Sequence, residues 1–327
     1  MRNIVDIFAT LGERLRTFGT TAEDCALMEQ AMEQNPWFTR EDILHALTAI
    51  SEDMLQRDKL EAWLSHYTPT AEPKDVAIIM AGNIPLVGFN DLLCVVASGH
   101  RCHVKPSSKD RVLMRFVIDH LRTIAGDIAI YDYDSGKNYD MAIATGGEEA
   151  NRYFRDHFAN TRTLLRSSRH SLALLDGTES LEELTALTRD ITLYSGLGCR
   201  SVSMLLVPKG WSAQLPTAYA ANAKLRNNIA TMRAMLTMQR RAFIDCQGFL
   251  GIYGETFPTT LAAVTIREYA TLDEATSWIS TNREHIQCVV SHLPIEGCVA
   301  FGHAQRPLLW DYADGIDTMK FLVIAAH

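Results

Sequence analysis

From about residue 73 onward the chain repeats one pattern, short β-rich runs separated by stretches long enough for a helix. Runs at 76–80, 102–104, 128–131 and 141–144 form a first set. Parallel neighbours need a connection that carries the chain back along the sheet, so this alternation predicts a parallel α/β sheet. A second set at 171–175, 202–207, 261–266 and 288–291 brackets a helical segment predicted over 217–243 and reads as a second α/β lobe. Residues 177–182 and 208–214 read as connectors, with no internal repeat. The first 70 residues are helical in texture. Thr21 with Asp24 and Thr39 with Asp42 have the spacing of capping boxes, Ile43, Leu47, Ile50 and Met54 recur at helical intervals, and Asn35-Pro36 marks a break.

Composition narrows the chemistry. With 31 basic against 39 acidic residues the formal charge is -8, which disfavours a general nucleic-acid or anionic-membrane binder and favours a small-molecule substrate. The longest apolar runs, such as 76–80 and 321–327, fall far short of the roughly 20 residues of a membrane helix, and the N-terminus lacks a secretory apolar region. No membrane span and a cytoplasmic location are therefore expected. The seven cysteines are odd in number, scattered and free of CxxC spacing, which reads as reduced thiols. His100, Cys102 and His103 cluster, but on a strand His103 would face away from the other two and no fourth ligand is near, so no metal site is expected.

Five segments could carry chemistry, and each has a plain structural reading beside it. Ala81-Gly82-Asn83-Ile84-Pro85-Leu86 follows a predicted strand at the end where open sheets bind ligands. Asn83 is either a turn residue or an uncharged donor to an oxyanion. Val104-Lys105-Pro106-Ser107-Ser108 ends a strand with a cation and two hydroxyls, suited to sugar or phosphate oxygens or to a solvated loop. Thr145-Gly146-Gly147 precedes a helical stretch containing Ala150, Phe154 and Phe158, where glycines would bring N–H groups to a phosphate; Glu148 and Glu149 suit a helix start without any ligand. Ser195-Gly196-Leu197-Gly198-Cys199-Arg200-Ser201 places a thiol between a Gly-rich turn and a strand, with Arg200 beside it to favour the thiolate, although a cysteine is as well read as a structural thiol. Arg226, Arg233 and Arg240 recur every seven residues on one predicted helix face, beside an apolar stripe of Leu225, Ile229, Met232 and Leu236; they read as a solvated face or a dock for phosphates. No GxGxxG fingerprint occurs.

In this order the segments resemble the aldehyde dehydrogenase superfamily, especially its acyl-CoA reductase branch, which includes the fatty acyl-CoA reductase of bacterial luminescence. The resemblance extends to Gln305-Arg306-Pro307 and to the run from Asp311 through Asp317, and covers about residues 36–325. It implies an aldehyde-dehydrogenase-like α/β fold of two lobes. Residues 1–170 would hold a helical N-terminal segment and the NAD(P)-binding domain, and residues 171–327 a shortened catalytic domain whose tail returns to the first. It further implies that Cys199 is the nucleophile and that Asn83 and the Cys199 N–H hold the oxyanion. Lys105, with Ser107 and Ser108, would hold the adenosine ribose, and Thr145, Gly146 and Gly147 would lie beside the pyrophosphate.

Aldehyde-oxidising relatives carry a Glu before two glycines upstream of the nucleophile, whereas the corresponding stretch here reads Leu164-Leu165-Arg166-Ser167-Ser168-Arg169-His170. Without that carboxylate to activate water, exchange with a thiol is favoured over release of a free acid. His170 is either a base in its place or a strand-edge residue. A hydroxyl at Ser108, with Lys105 and Lys109 nearby, favours NADPH, NADH being the alternative. The expected activity is NAD(P)H-dependent reduction of an acyl-CoA or acyl-carrier thioester to aldehyde, with a homodimer as the assembly by analogy. The alternatives are an acyl-phosphate reductase with the same cysteine chemistry and an inactive nucleotide-binding scaffold.

Overall fold

A computed structural model of the chain describes residues 3–212, 215–220 and 222–323. The predicted connector at 208–214 and the apolar run at 321–327 therefore lie partly outside the described residues. The chain divides into two compact units, one of Met1–Ser168 with Arg306–His327 and one of Arg169–Gln305.

The first unit opens with helices α1 (Ile4–Arg16), α2 (Ala22–Gln34), α3 (Arg40–Ala49) and α4 (Arg57–Leu64). Thr39 and Asp42 form the expected capping box. Thr21 caps Asp24 N–H from one side only, because the Asp24 carboxylate is drawn to Arg14 and Gly19. A π-helical turn, Ile50–Met54, follows α3 without interruption, and Ile43, Leu47, Ile50 and Met54 all enter the core.

Next come β1 (Asp75–Ile79), α5 (Phe89–Ala97), β2 (Arg101–Lys105), α6 (Arg111–Ile124), β3 (Ile130–Asp132), β4 (Met141–Thr145), α7 (Glu148–His157) and β5 (Arg162–Arg166). The five strands pair in the order β3-β2-β1-β4-β5, all parallel. One core cluster joins the N-terminal helices to α5 and α6, and Leu309, Tyr312, Met319 and Leu322 from the end of the chain pack into it. The predicted strand at 128–131 lies later, at Ile130–Asp132, because 125–128 closes a turn after α6 through Ile128 N–H to Ala125 O. Strand β5 was not expected, since Arg at both ends masks an apolar centre.

The second unit contains β6 (His170–Leu174), α8 (Leu181–Thr192), β7 (Val202–Pro208), α9 (Ala223–Met238), β8 (Ile244–Asp245), β9 (Leu250–Tyr253), β10 (Ala263–Tyr269), α10 (Leu272–Thr281), β11 (Ile286–Val290) and β12 (Cys298–Val299). Its sheet runs β12-β11-β6-β7-β10-β9-β8, parallel except for the antiparallel β8–β9 pair. Helix α11 (Thr318–Val323) belongs to the first unit.

The helix predicted over 217–243 is shorter at both ends. Asn222 caps it by accepting from Lys224 and Leu225 N–H, and Arg240 adopts a left-handed φ of 52° just beyond its last turn. Arg240 therefore does not share the helix face with Arg226 and Arg233, and the three arginines do not form one row.

Among the described residues no helix is long and apolar enough to cross a membrane.

Candidate active site

In the first unit the chain leaves β1 for β2 and β3 on one side, then returns for β4 and β5 on the other. The loops after β1 and β4 therefore part at the same end of the sheet, and such a switch point opens the crevice where α/β sheets bind ligands. Asn83, half-buried, sits in the loop after β1, and Thr145-Gly146-Gly147 follows β4. Lys105 ends β2, with Ser107 and Ser108 just beyond. Ile79 pairs with Lys105 on one side and Ala144 on the other, so adjacent strand ends bring all seven of these predicted residues to one edge.

Lys105, Ser107 and Ser108 line a cleft of about 440 Å³ together with Arg111, Arg115, Asp132 and Tyr133, which the sequence reading did not select. The Lys105 ammonium lies 5.5 Å from the Tyr133 ring centre. Arg115 is paired with Asp132 at 2.6 Å, whereas Lys105 and Arg111 have no carboxylate partner among the described residues. Three cations thus face one carboxylate, a local excess of positive charge in a chain of net charge -8. A charge-periodicity search would have missed it, because Lys105 belongs to a strand and Arg111 to the next helix.

Two glycines differ in what they do. A Cβ on Gly146 would come within 2.7 Å of the Ala150 Cβ, so this glycine lets β4 close onto α7. Gly147 caps α7 at an ordinary φ of -69°, with no atom within 4 Å of a notional Cβ. Neither backbone nor packing requires it, which leaves open space at the helix start.

Cys199 belongs to the second unit, on the turn entering β7, where it is a half-buried thiol and not sealed in the core. Its backbone is held on several sides. Ser201 N–H donates to Gly198 O at 2.9 Å, Gly198 N–H to Ser201 Oγ at 3.3 Å, Gln305 Nε2 to Ser201 Oγ at 2.9 Å, and Ser171 Oγ to Cys199 O at 2.8 Å. Just upstream, Tyr194, Ser195 and Gly196 are left-handed in succession, at φ 56°, 55° and 72°. Two non-glycine residues held this way store strain beside the thiol. Arg200, expected to favour the thiolate, directs its guanidinium to Ala304 O and to Cys288 Sγ, the latter at 3.6 Å.

His170 begins β6, an interior strand flanked by β11 and β7, so it stands at the edge of its strand, at the end of a central strand of the sheet. Its Nδ1 meets Ser203 Oγ at 3.0 Å, its ring stacks on Phe257 at 4.5 Å, and burial lowers its pKa. Arg226 and Arg233 are engaged, Arg226 with Ala220 O and Arg233 with the Asp245 carboxylate at 2.6 Å.

Asp190, 2 % exposed, was also missed. Its carboxylate accepts from Gly302 N–H at 2.6 Å and Ala304 N–H at 3.1 Å, fixing the loop that receives Arg200 and supplies Gln305. Burial pushes its pKa up to about 6 against those two donors. The unfolded value is about 3.9, so the folded chain holds the proton more tightly. The stability this provides is fully present below about pH 4 and is lost as pH rises through about 6. In melting curves from pH 4 to 7, wild type minus Asp190→Asn should therefore fall steadily; parallel profiles would sink the assignment.

Comparison with known proteins bears on the family and the fold. The family model described as acyl-CoA reductase (LuxC) matches residues 4–232. A long-chain acyl-protein thioester reductase of Aliivibrio fischeri is 24 % identical over 150 residues, covering 40 % of this chain and 31 % of that protein; the matched part thus spans about a third of that relative's length. An NAD+ complex of an aldehyde dehydrogenase from Bacillus cereus superimposes with a TM-score of 0.62 at 12 % identity, covering 89 % of this chain and 71 % of that one. A propionaldehyde dehydrogenase from a Clostridium phytofermentans microcompartment gives 0.57 at 11 %, covering 93 % and 87 %. An aldehyde dehydrogenase of Pseudomonas syringae, complexed with NAD+ and octanal, gives 0.58 at 12 %, covering 84 % and 68 %. At such identities these structures establish an aldehyde-dehydrogenase-like fold.

Proposed function

The chain belongs to the acyl-CoA reductase (LuxC) family, and from that premise we propose that it reduces an acyl thioester, on coenzyme A or a carrier protein, to the aldehyde through an acyl group held on Cys199. NADPH is the proposed reductant. The observation that carries the reading is the half-buried thiol of Cys199 on a turn fixed by Ser171, Ser201 and Gln305. A nucleophile whose backbone is held in advance spends less of its binding energy on orientation.

The first unit fits a dinucleotide on its own terms. Its switch-point crevice, the cations Lys105 and Arg111, which have no carboxylate partner among the described residues, and the open position at Gly147 suit a ligand rich in phosphate. Lys105, Ser107 and Ser108 would hold the adenosine ribose, Thr145, Gly146 and Gly147 the pyrophosphate, and Arg111 would favour a 2'-phosphate. Bound there, the reduced nicotinamide supplies a hydride. The NAD+ complexes of the Bacillus cereus and Pseudomonas syringae enzymes support the cofactor class.

The chain's own residues do the rest. Cys199 thiolate attacks the thioester carbonyl, Asn83 and the Cys199 N–H stabilise the oxyanion, and the carrier thiol leaves. Cys199 then keeps the acyl group as a thioester until its carbonyl carbon is reduced, and the thiohemiacetal so formed breaks its C–S bond to release the aldehyde and return the thiolate. No carboxylate occupies the stretch 164–170 to activate water, so hydrolysis to the free acid is not built in.

The test is NADPH oxidation by the purified protein with short-, medium- and long-chain acyl-CoA, an acyl-carrier thioester and an acyl phosphate. Thioester-dependent oxidation with aldehyde as product is expected; oxidation only with the acyl phosphate, or with none, overturns the reading. Asn83→Ala should fold and bind NADPH while losing about 100- to 1000-fold in kcat, the usual effect of removing one oxyanion donor.

A further inference from the structure

Asp110 is a buried acid that does not serve its own helix. It occupies the N-cap position of α6, is 3 % exposed, and makes no side-chain cap. Instead its Oδ2 accepts from Leu86 N–H at 2.8 Å, while Oδ1 is buried without a hydrogen-bond partner. Burial pushes its pKa well above the ordinary carboxylate value, against the one backbone N–H it accepts from.

The residue it holds is unusual. Leu86 has a left-handed φ of 56°, in the loop between β1 and α5, three residues after Asn83. A bulky residue seldom stays there unless its surroundings fix it. The same loop is fixed a second time at Gly82. Gly82 O accepts from Asn35 Nδ2 at 3.2 Å, and a Cβ on Gly82 would come within 2.6 Å of Ser107 Cβ and 3.1 Å of Asp110 Cβ. Asn83 lies between these two anchors. Asp110 N–H in turn donates to Ser107 O at 3.1 Å, so the loop after β1 and the loop after β2 meet at Asp110.

We infer that Asp110 is a positioning residue for Asn83, locking the Asn83 loop onto the Ser107–Ser108 loop through Leu86 N–H and its own N–H to Ser107 O. This rests on the reading of Asn83 as the oxyanion donor. An acid left with one unsatisfied oxygen is poor for stability alone, since a buried acceptor without a partner is unfavourable. Its geometry makes sense as the clamp on a strained turn.

The test follows acylation of Cys199 in the coenzyme-free protein, by intact mass after rapid mixing with the best acyl-CoA of the panel above. Asp110→Ala should lower the maximal acylation rate by up to about 100-fold, as small misplacements of a reacting group do, with the acyl-CoA concentration for half-maximal rate unchanged. Asp110→Asn keeps an acceptor and the same shape, and should restore most of the rate. In the Asn83→Ala background Asp110→Ala should add little, because its effect runs through Asn83. Should Asp110→Ala fail to fold, Asp110→Ser, whose hydroxyl is too short to replace the acceptor, should slow acylation and speed hydrogen exchange at Leu86 N–H. An Asp110→Ala protein at full rate, an additive double variant, or an Asp110→Asn protein as slow as the alanine overturns the proposal alone. An Asn83→Ala protein that acylates at full rate overturns the oxyanion reading and the proposal with it.

Discussion

Cys199→Ala is expected to form no acyl adduct with any thioester and to lose reductase activity on the order of a million-fold, the scale seen when a covalent nucleophile is removed. Four of the other thiols are set apart by their surroundings. Burial pushes Cys94 and Cys102 up well beyond the usual thiol range, Cys246 up to about 11, and Cys298 upward as well. A thiol whose pKa is raised gives less thiolate and is the poorer nucleophile. Cys288, 5 % exposed, has its sulfur against the Arg200 guanidinium. Cys25, half-buried among the N-terminal helices, is the natural control. Intact mass after incubation with acyl-CoA should show one adduct in wild type, in Cys25→Ser and in Cys288→Ser, and none in Cys199→Ala. An adduct that survives in Cys199→Ala would end the assignment.

Much of the fold was legible because strands buried on both faces must be apolar throughout. Strands β1, β2, β4, β6, β7 and β11 all stand within a residue or two of the predicted runs. What escaped had local reasons. Strand β5 is framed by Arg162 and Arg166, and the burial of Arg166 depends on Asp91, 75 residues earlier. Strands β8 and β12 are two residues each, too short for any period. Helix α9 was overextended because the alanines before Asn222 favour helix, while the cap that stops it is one side chain turned onto two N–H groups.

The site shows the same division. Loops that follow strands can be placed once the strands are, so Asn83, Lys105 and Thr145 fall at adjacent strand ends. The groups that hold those loops cannot be read locally. Asp110 meets Leu86 from 24 residues away, and Asp190 meets Gly302 and Ala304 from more than 100. In sequence each is one more acid on a helix; only folding brings it to a backbone N–H.

The largest effect on stability should come from the buried pair at the end of β5. Arg166 Nη2 lies 2.7 Å from Asp91 Oδ1, with side chains 4 % and 10 % exposed. The guanidinium also donates to Ala313 O and Thr318 Oγ1, each at 2.7 Å, so one cation ties β5 to α5 and to the segment leading into α11. Burial works against its charge, yet Asp91 raises its pKa on balance. Removing one partner leaves the other charge buried and uncompensated, which typically destabilises by about 3–5 kcal/mol. Asp91→Ala and Arg166→Met should each lower the denaturant midpoint by that much at constant slope. Asp91→Leu combined with Arg166→Met removes both charges at similar volume and should recover most of the loss, since apolar replacement of a buried pair is often neutral. Thr145 pairs with Arg166 in the sheet, so the single variants should also weaken NADPH binding, by loosening the strand beside Gly146 and Gly147. A loss under about 1 kcal/mol in Asp91→Ala would place the pair with surface salt bridges and remove it as the anchor of that edge.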